Sequence, residues 1–224
     1  MKIDEKIKNN ISVRSYQRTL KNPISFSGVG LHSGEEVTVA LHPASVDSGI
    51  VFERIDIQGD QSIVKATWDN VVDTQFCSKI GNRFGVTVST VEHLMAALAG
   101  CGVDNALIKI DGLEVPIMDG SAAPFVTLID QAGLVELKAQ RKVIRILKPV
   151  EVKCGESHAI LTPADECLLD VKIDFKGTVV SDQGLKMGLV NGAFCKELAE
   201  ARTFGFLDEV EAMRAAGLVK GGSL

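Results

Sequence analysis

The sequence predicts an α+β fold. Three runs carry the prediction: a capped helical stretch at residues 89–100, an alternating strand at 106–110, and a second helical stretch at 122–132 closed by Gly133. Strand-like runs precede the first helix, and strands followed by helices recur after residue 138. The later half therefore resembles a second copy of the same layer. No internal repeat is strong enough to prove duplication.

Residues 1–16 are polar and lysine-rich and read as an N-terminal extension. From Gln17 the texture changes to short strand-like runs separated by glycine, with 37–41 alternating and 49–52 suggesting another strand. Gly28, Gly30 and Gly34 punctuate Leu31-His32-Ser33, which reads as a turn. Val86-Thr87-Val88 runs straight into the first helix, where Ser89 followed by Glu92 is a capping box and Gly100 a natural C′ residue. After the strand at 106–110 and a turn at 116–120 comes the second helix. A charged stretch, 138–145, leads into strand-like runs at 143–152, 158–161 and 168–175, then helices near 192–201 and 208–216. The expected organisation is a 1–16 extension, a first α+β domain at 17–137 and a second at 138–224, the latter incomplete at its C-terminus.

With 224 residues and 46% apolar content, the chain can bury a sizeable core. That length suits one large domain or two of about 100–120 residues. Charged residues at 24% argue against general disorder. A net charge of -5 argues against a nucleic-acid platform, which needs a basic face, while leaving room for a local basic pocket. Cys77, Cys101, Cys154, Cys167 and Cys195 form no CxxC pair. Their odd count, without an apolar leader in residues 1–16, points to reduced thiols in a cytoplasmic protein. No run approaches the roughly 18 apolar residues of a membrane-spanning helix, so a membrane link would come through the substrate or a partner.

Glu92-His93 carries two readings. Near a helix start, Glu92 can cap an orphan amide and favour the helix dipole. A carboxylate beside a metal-binding histidine is also how zinc hydrolases take a proton from water. Ala96 and Ala97 stand where HExxH would place its second histidine, so this is not that motif. His32, His42 and His158 have no ligand spacing. Asp111, Glu114 and Asp119 cluster around a turn and read as turn chemistry, with Asp119-Gly120-Ser121 shaping the entry to the next helix. Ala201-Arg202-Thr203-Phe204-Gly205-Phe206 sets a cation, a hydroxyl and two aromatics at a loop start, or simply a helix-terminal cation and core aromatics.

Six strings in order resemble one family. They are Gln17-Arg18-Thr19-Leu20, Gly28-Val29-Gly30-Leu31-His32-Ser33-Gly34, Ser89-Thr90-Val91-Glu92-His93-Leu94, Ile117 through Phe125, Ala201 through Phe206, and Gly221-Gly222-Ser223. Together they resemble the UDP-3-O-acyl-N-acetylglucosamine deacetylases of Gram-negative lipid A synthesis, from Gln17 to the last residue. The resemblance implies two similar α+β domains, each a sheet layered on two helices, with the second truncated. It implies a zinc (Zn2+) hydrolase, monomeric when complete, cytoplasmic and peripheral to the inner membrane through its acylated UDP-sugar substrate. In it His93 would be one zinc ligand, Glu92 the general base, and Thr203 a donor to the oxyanion. Leu31 and His32 would line the metal pocket, and Asp174 and Phe175 would hold the uracil ring. Phe204 would contact substrate, and Phe206, Leu207, Val210, Leu218 and Ser223 would line the acyl passage.

The family supplies its other two zinc ligands from a later helix of the form His-Lys-x-x-x-Asp, and a catalytic histidine later still. No His-Lys-x-x-x-Asp string occurs in the 224 residues. The expectation is therefore a chain that is inert by itself and poorly soluble, its second domain exposing an apolar face. The alternative is a non-catalytic relative that binds a nucleotide sugar or a partner.

Overall fold

The computed structural model describes residues 15–189 and 192–222. Among these, residues up to 141 together with 195–222 form one compact unit, and 142–194 contribute to another. The sequence reading kept 138–224 in one domain; the contacts group 195–222 with the first unit instead. Backbone bonds hold that segment there, Ala122 N–H to the Ala199 carbonyl at 3.0 Å and Thr203 N–H to the Gly120 carbonyl at 2.8 Å.

The first unit is built on a five-stranded sheet. Its strands are β2 (Ile24–Val29), β3 (Glu36–Pro43), β4 (Ile50–Arg54), β5 (Ile63–Lys65) and β9 (Ala106–Ile110), in the order β2-β3-β9-β4-β5. Only β4 and β9 pair in parallel. β1 (Tyr16–Leu20) pairs with β10 (Leu134–Gln140), and β6 (Val71–Asp73), β7 (Lys79–Gly81) and β8 (Thr87–Val88) form a small sheet. The alternation read from the sequence is the burial pattern of the sheet. Val37, Val39 and Leu41 in β3 and Ala106, Ile108 and Ile110 in β9 are all buried, because a pleated strand sends every second side chain to one face.

Helices α1 (Glu92–Cys101) and α2 (Ala123–Ala132) pack on each other and supply Leu94, Ala97, Leu98, Phe125 and Ile129 to the core. Phe125 meets Phe26 of β2 edge-on at 5.5 Å between ring centroids. The entry to α2 follows the expected turn chemistry. Asp119 accepts the Ser121 N–H at 2.9 Å and its hydroxyl at 2.8 Å, and Ser121 Oγ accepts the Ala123 N–H at 3.1 Å.

Both ends of α1 differ from expectation. No side chain caps the helix, which starts at Glu92 after Val91. Ser89 is instead taken up by strand-like pairing, its N–H on the Leu113 carbonyl and its own carbonyl accepting Val115 N–H. At the other end Gly102, not Gly100, takes the left-handed conformation (φ 76°), and Val103 N–H closes on the Leu98 carbonyl at 2.8 Å. Further on, the expected helix near 192–201 is only one π turn at Phe194–Leu198, while α3 spans Leu207–Ala215.

The second unit contains two hairpins, β11 (Val150–Cys154) with β12 (Ser157–Leu161) and β13 (Leu168–Ile173) with β14 (Gln183–Gly188). The first strand begins at Val150 rather than 143, just after Pro149, which has no N–H to donate to a ladder. β14 was not read from sequence, because Gln183-Gly184-Leu185-Lys186-Met187-Gly188 carries no β-branched residue. No helix among the described residues is long and apolar enough to cross a membrane.

Candidate active site

The site grows from a buried carboxylate. Glu114 is 3% exposed and lies on the segment that pairs with Ser89. It accepts the N–H of His32 at 3.0 Å, the N–H of Ser33 at 2.9 Å and the hydroxyl of Thr90 at 2.8 Å. Burial is the largest single influence on its pKa and pushes it up. The donors from His32, Ser33 and Thr90 together outweigh burial and hold the carboxyl below the ordinary glutamate range. One side chain thus ties the Leu-His turn to the residue two before α1.

Backbone geometry makes room for this tie. A Cβ on Gly30 would sit 2.6 Å from Glu114 Oε2 and would collide with Ser33 Oγ, so only glycine lets the turn close over the carboxylate. Thr90 itself holds a positive φ of 56°, unusual for a β-branched residue, and its hydroxyl is spent on Glu114. That bend delivers the chain into α1 with Glu92 as its first residue.

Glu92 is partly buried, and its Oε2 accepts the Ser78 N–H at 3.0 Å. A cleft of about 370 Å³ lies beside the turn, lined by residues that include His32, Ser33, Ser89, Glu114, Phe76, Cys77, Lys79, Leu218 and Lys220. Ser78, which holds Glu92, follows Cys77 of the cleft lining in sequence. Both ring nitrogens of His32 are buried without a hydrogen-bond partner among the described residues. An imidazole so placed costs free energy unless something else meets it.

The expected site residues fall into three groups. His32 and Leu218 line the cleft, and Leu31 flanks it, its carbonyl accepting Gly221 N–H at 3.0 Å. Glu92, His93 and Thr203 belong to the same unit but are not lining residues of the cleft. Thr203 is exposed and hangs from the 119–120 turn, assisted by Arg202 Nε donating to the Asp119 carbonyl at 2.7 Å. Phe204 and Phe206 stack edge-on at 5.8 Å, and Leu207 and Val210 follow on α3. Asp174 and Phe175 lie in the other unit, where Asp174 Oδ1 accepts the Ser181 hydroxyl at 2.8 Å and the Asp182 N–H at 3.2 Å. Ser223 lies outside the described residues.

Glu114, Thr90, Lys79 and Lys220 were not singled out as site residues from sequence. Glu114 stood inside an acidic turn cluster that ordinary turn chemistry explains, and its partners lie 82 and 24 residues away. A further hollow of about 270 Å³ in the second unit, lined by Arg145, Ile146, Leu147, Pro163, Ala164 and Asp165, contains no expected site residue.

A zinc hydrolase needs three protein ligands with a position left for water. Among the described residues no three His, Cys, Asp or Glu side chains group to hold a metal. The described residues by themselves therefore do not supply a three-ligand zinc site.

Comparison with known proteins supplies the remaining information. A family model described as UDP-3-O-acyl N-acetylglycosamine deacetylase matches residues 17–224. The chain is 48% identical over 209 residues to the UDP-3-O-acyl-N-acetylglucosamine deacetylase of Phenylobacterium zucineum (strain HLK1), covering 93% of this chain and 71% of the relative. It is 49% identical over 210 residues to the deacetylase of the same name from Acidithiobacillus ferrooxidans (strain ATCC 53993 / BNL-5-31), covering 93% and 68%. A third, from Idiomarina loihiensis (strain ATCC BAA-735 / DSM 15497 / L2-TR), is 46% identical over 210 residues, covering 92% and 68%. With the match running from β1 through the Leu-His turn and α1 to the final residue, the chain belongs to the UDP-3-O-acyl N-acetylglycosamine deacetylase family.

Proposed function

We propose that this chain takes part in hydrolysing the N-acetyl group of UDP-3-O-acyl-N-acetylglucosamine, releasing acetate and the free 2-amino sugar nucleotide for lipid A synthesis in the cytoplasm of a Gram-negative bacterium. The observation that carries this reading is the family match across 17–224, with Glu92-His93 heading α1 and Glu92 held by the Ser78 N–H.

Glu92 is the proposed general base. The Ser78 N–H holds Oε2, leaving Oε1 to accept a proton from the attacking water. The Thr203 hydroxyl is the proposed donor to the oxyanion that forms on the acetamide oxygen, a type of contact worth about 2.7–4 kcal/mol in the transition state. His32 and Leu31 would face the reacting group. Asp174 and Phe175 would take the uracil. Phe204 would touch substrate, with Phe206, Leu207, Val210, Leu218 and Ser223 along the acyl chain. Zinc is the proposed metal, with His93 as one ligand of a set that the described residues do not complete. The 224 residues alone are accordingly proposed to be inert.

The test is acetate release from the acylated UDP-sugar by the 224-residue chain, with zinc supplied, beside calorimetric binding of the same compound. Binding without turnover is the expected result. Turnover that Glu92→Gln lowers by about 10²–10⁴-fold would support Glu92 as base and overturn the inertness. A second reading, a nucleotide-sugar-binding relative, is favoured by the lack of a three-ligand group among the described residues. Undiminished binding in the presence of a chelator would support it.

A further inference from the structure

The cysteines offer a feature that the proposed hydrolysis does not use. Cys101 closes α1, and Cys195 lies in the π turn at Phe194–Leu198. Their Sγ atoms are 3.8 Å apart across 94 residues of chain, both side chains partly buried and within the same unit. A disulfide needs about 2.05 Å between sulfurs, so an approach of about 1.8 Å would close one. The other three thiols are placed differently: Cys154 and Cys167 are exposed in the second unit, and Cys77 lies in the cleft wall.

We propose that Cys101 and Cys195 form a redox-active dithiol, closed to a disulfide by a peroxide. One thiolate attacks the O–O bond of hydrogen peroxide, giving a sulfenic acid and releasing the second oxygen as water. The other thiol then attacks the sulfenic sulfur, forming the S–S bond and expelling a second water. Two electrons leave the sulfur pair and reduce one peroxide to two waters, so the step balances without a further reactant. A dithiol such as dithiothreitol reverses it.

The position of the pair gives the bond a consequence. The chain after Cys195 is tied to the 119–122 turn through the Ala199 carbonyl, Arg202 Nε and Thr203 N–H, and it carries Thr203 outward on an exposed loop. A disulfide adds a covalent anchor from the far end of α1, the helix that Glu92 and His93 begin. Oxidation thereby fixes residues 195–203 against that helix. This consequence for Thr203 matters to catalysis only through the proposed hydrolysis, whereas the bond itself stands independently of it.

The experiment uses the whole 224-residue chain, reduced, freed of reductant, treated with one equivalent of hydrogen peroxide and blocked with N-ethylmaleimide. Peptide mapping is expected to find the Cys101 and Cys195 peptides joined with loss of two hydrogens, the link disappearing with dithiothreitol and in both Cys101→Ser and Cys195→Ser. Amide exchange at 199–204 is expected to slow in the oxidised chain. Recovery of both cysteines as maleimide adducts or sulfinic acids, or of either joined mainly to Cys77, Cys154 or Cys167, would overturn the dithiol. A formed link with unchanged exchange would overturn the tether. The wild-type map decides the pairing even if a variant does not fold. Acetate release is not part of the readout, so failure of the hydrolytic reading leaves this result intact.

Discussion

The carboxylate of Glu114 accepts the backbone N–H of His32 at 3.0 Å, joining the Leu-His turn to the strand-like segment beside α1. The same side chain takes donors from Ser33 and Thr90, so three separated residues converge on one buried charge. Replacing Glu114 with Ala strands all three donors. At about 1–3 kcal/mol for each buried donor left unmet, and with losses that do not add fully, the expected destabilisation is about 3 kcal/mol or more by urea denaturation. A loss below about 1 kcal/mol would mean that water replaces the carboxylate.

The pH dependence of that contribution has a defined sign. The folded pKa of Glu114 lies below its ordinary value of 4.5, so the ionised form is the one that folding favours. Its stabilisation is complete above that value and is lost as pH falls through the depressed folded pKa. The Tm difference between wild type and Glu114→Gln is therefore constant at neutral pH and narrows in acid below 4.5. A gap that widens in acid would contradict the assignment.

Gly30→Ala places a methyl 2.6 Å from Glu114 Oε2. Displacing either the turn or the carboxylate costs about 1–3 kcal/mol, as overpacking generally does. In a double-mutant cycle Gly30→Ala and Glu114→Ala couple, because removing the carboxylate removes one of the two groups the methyl meets, Ser33 Oγ being the other. Additive losses would remove Glu114 from the explanation.

Ser89 and Thr90 separate the helix start read from sequence from the one observed. A capping serine replaced by alanine loses about 1 kcal/mol, but Ser89 caps nothing here, so Ser89→Ala stays within about 0.5 kcal/mol. Thr90→Val keeps a β-branched side chain at φ 56° while losing the bond to Glu114. Thr90→Gly loses the same bond but relieves the backbone, and is the less costly of the two. Thermal melts of the three variants check the order.

Metal content tests the ligand set. With no three-ligand group among the described residues, zinc measured by mass spectrometry after dialysis should fall well below one ion per chain, and His93→Ala should leave the amount unchanged. Stoichiometric zinc lost on His93→Ala would show that the chain assembles a fuller site.

Much of this protein was legible along the chain. The period-two burial of Val37, Val39 and Leu41 and of Ala106, Ile108 and Ile110, the Asp119-Gly120-Ser121 entry to α2 and the six family strings all arise from neighbours in sequence, where propensity and spacing act. The tertiary structure alone decided which chemistry each polar residue serves. Ser89 and Glu92 have the spacing of a capping box, yet pairing with Leu113 and Val115 claims the serine and Ser78 claims the glutamate. Glu114 looked like turn chemistry until the fold brought His32, Ser33 and Thr90 to it, and Cys101 met Cys195 across 94 residues. A hydrogen bond or a sulfur contact is indifferent to sequence separation, so partners brought together by packing leave no periodic trace in the chain.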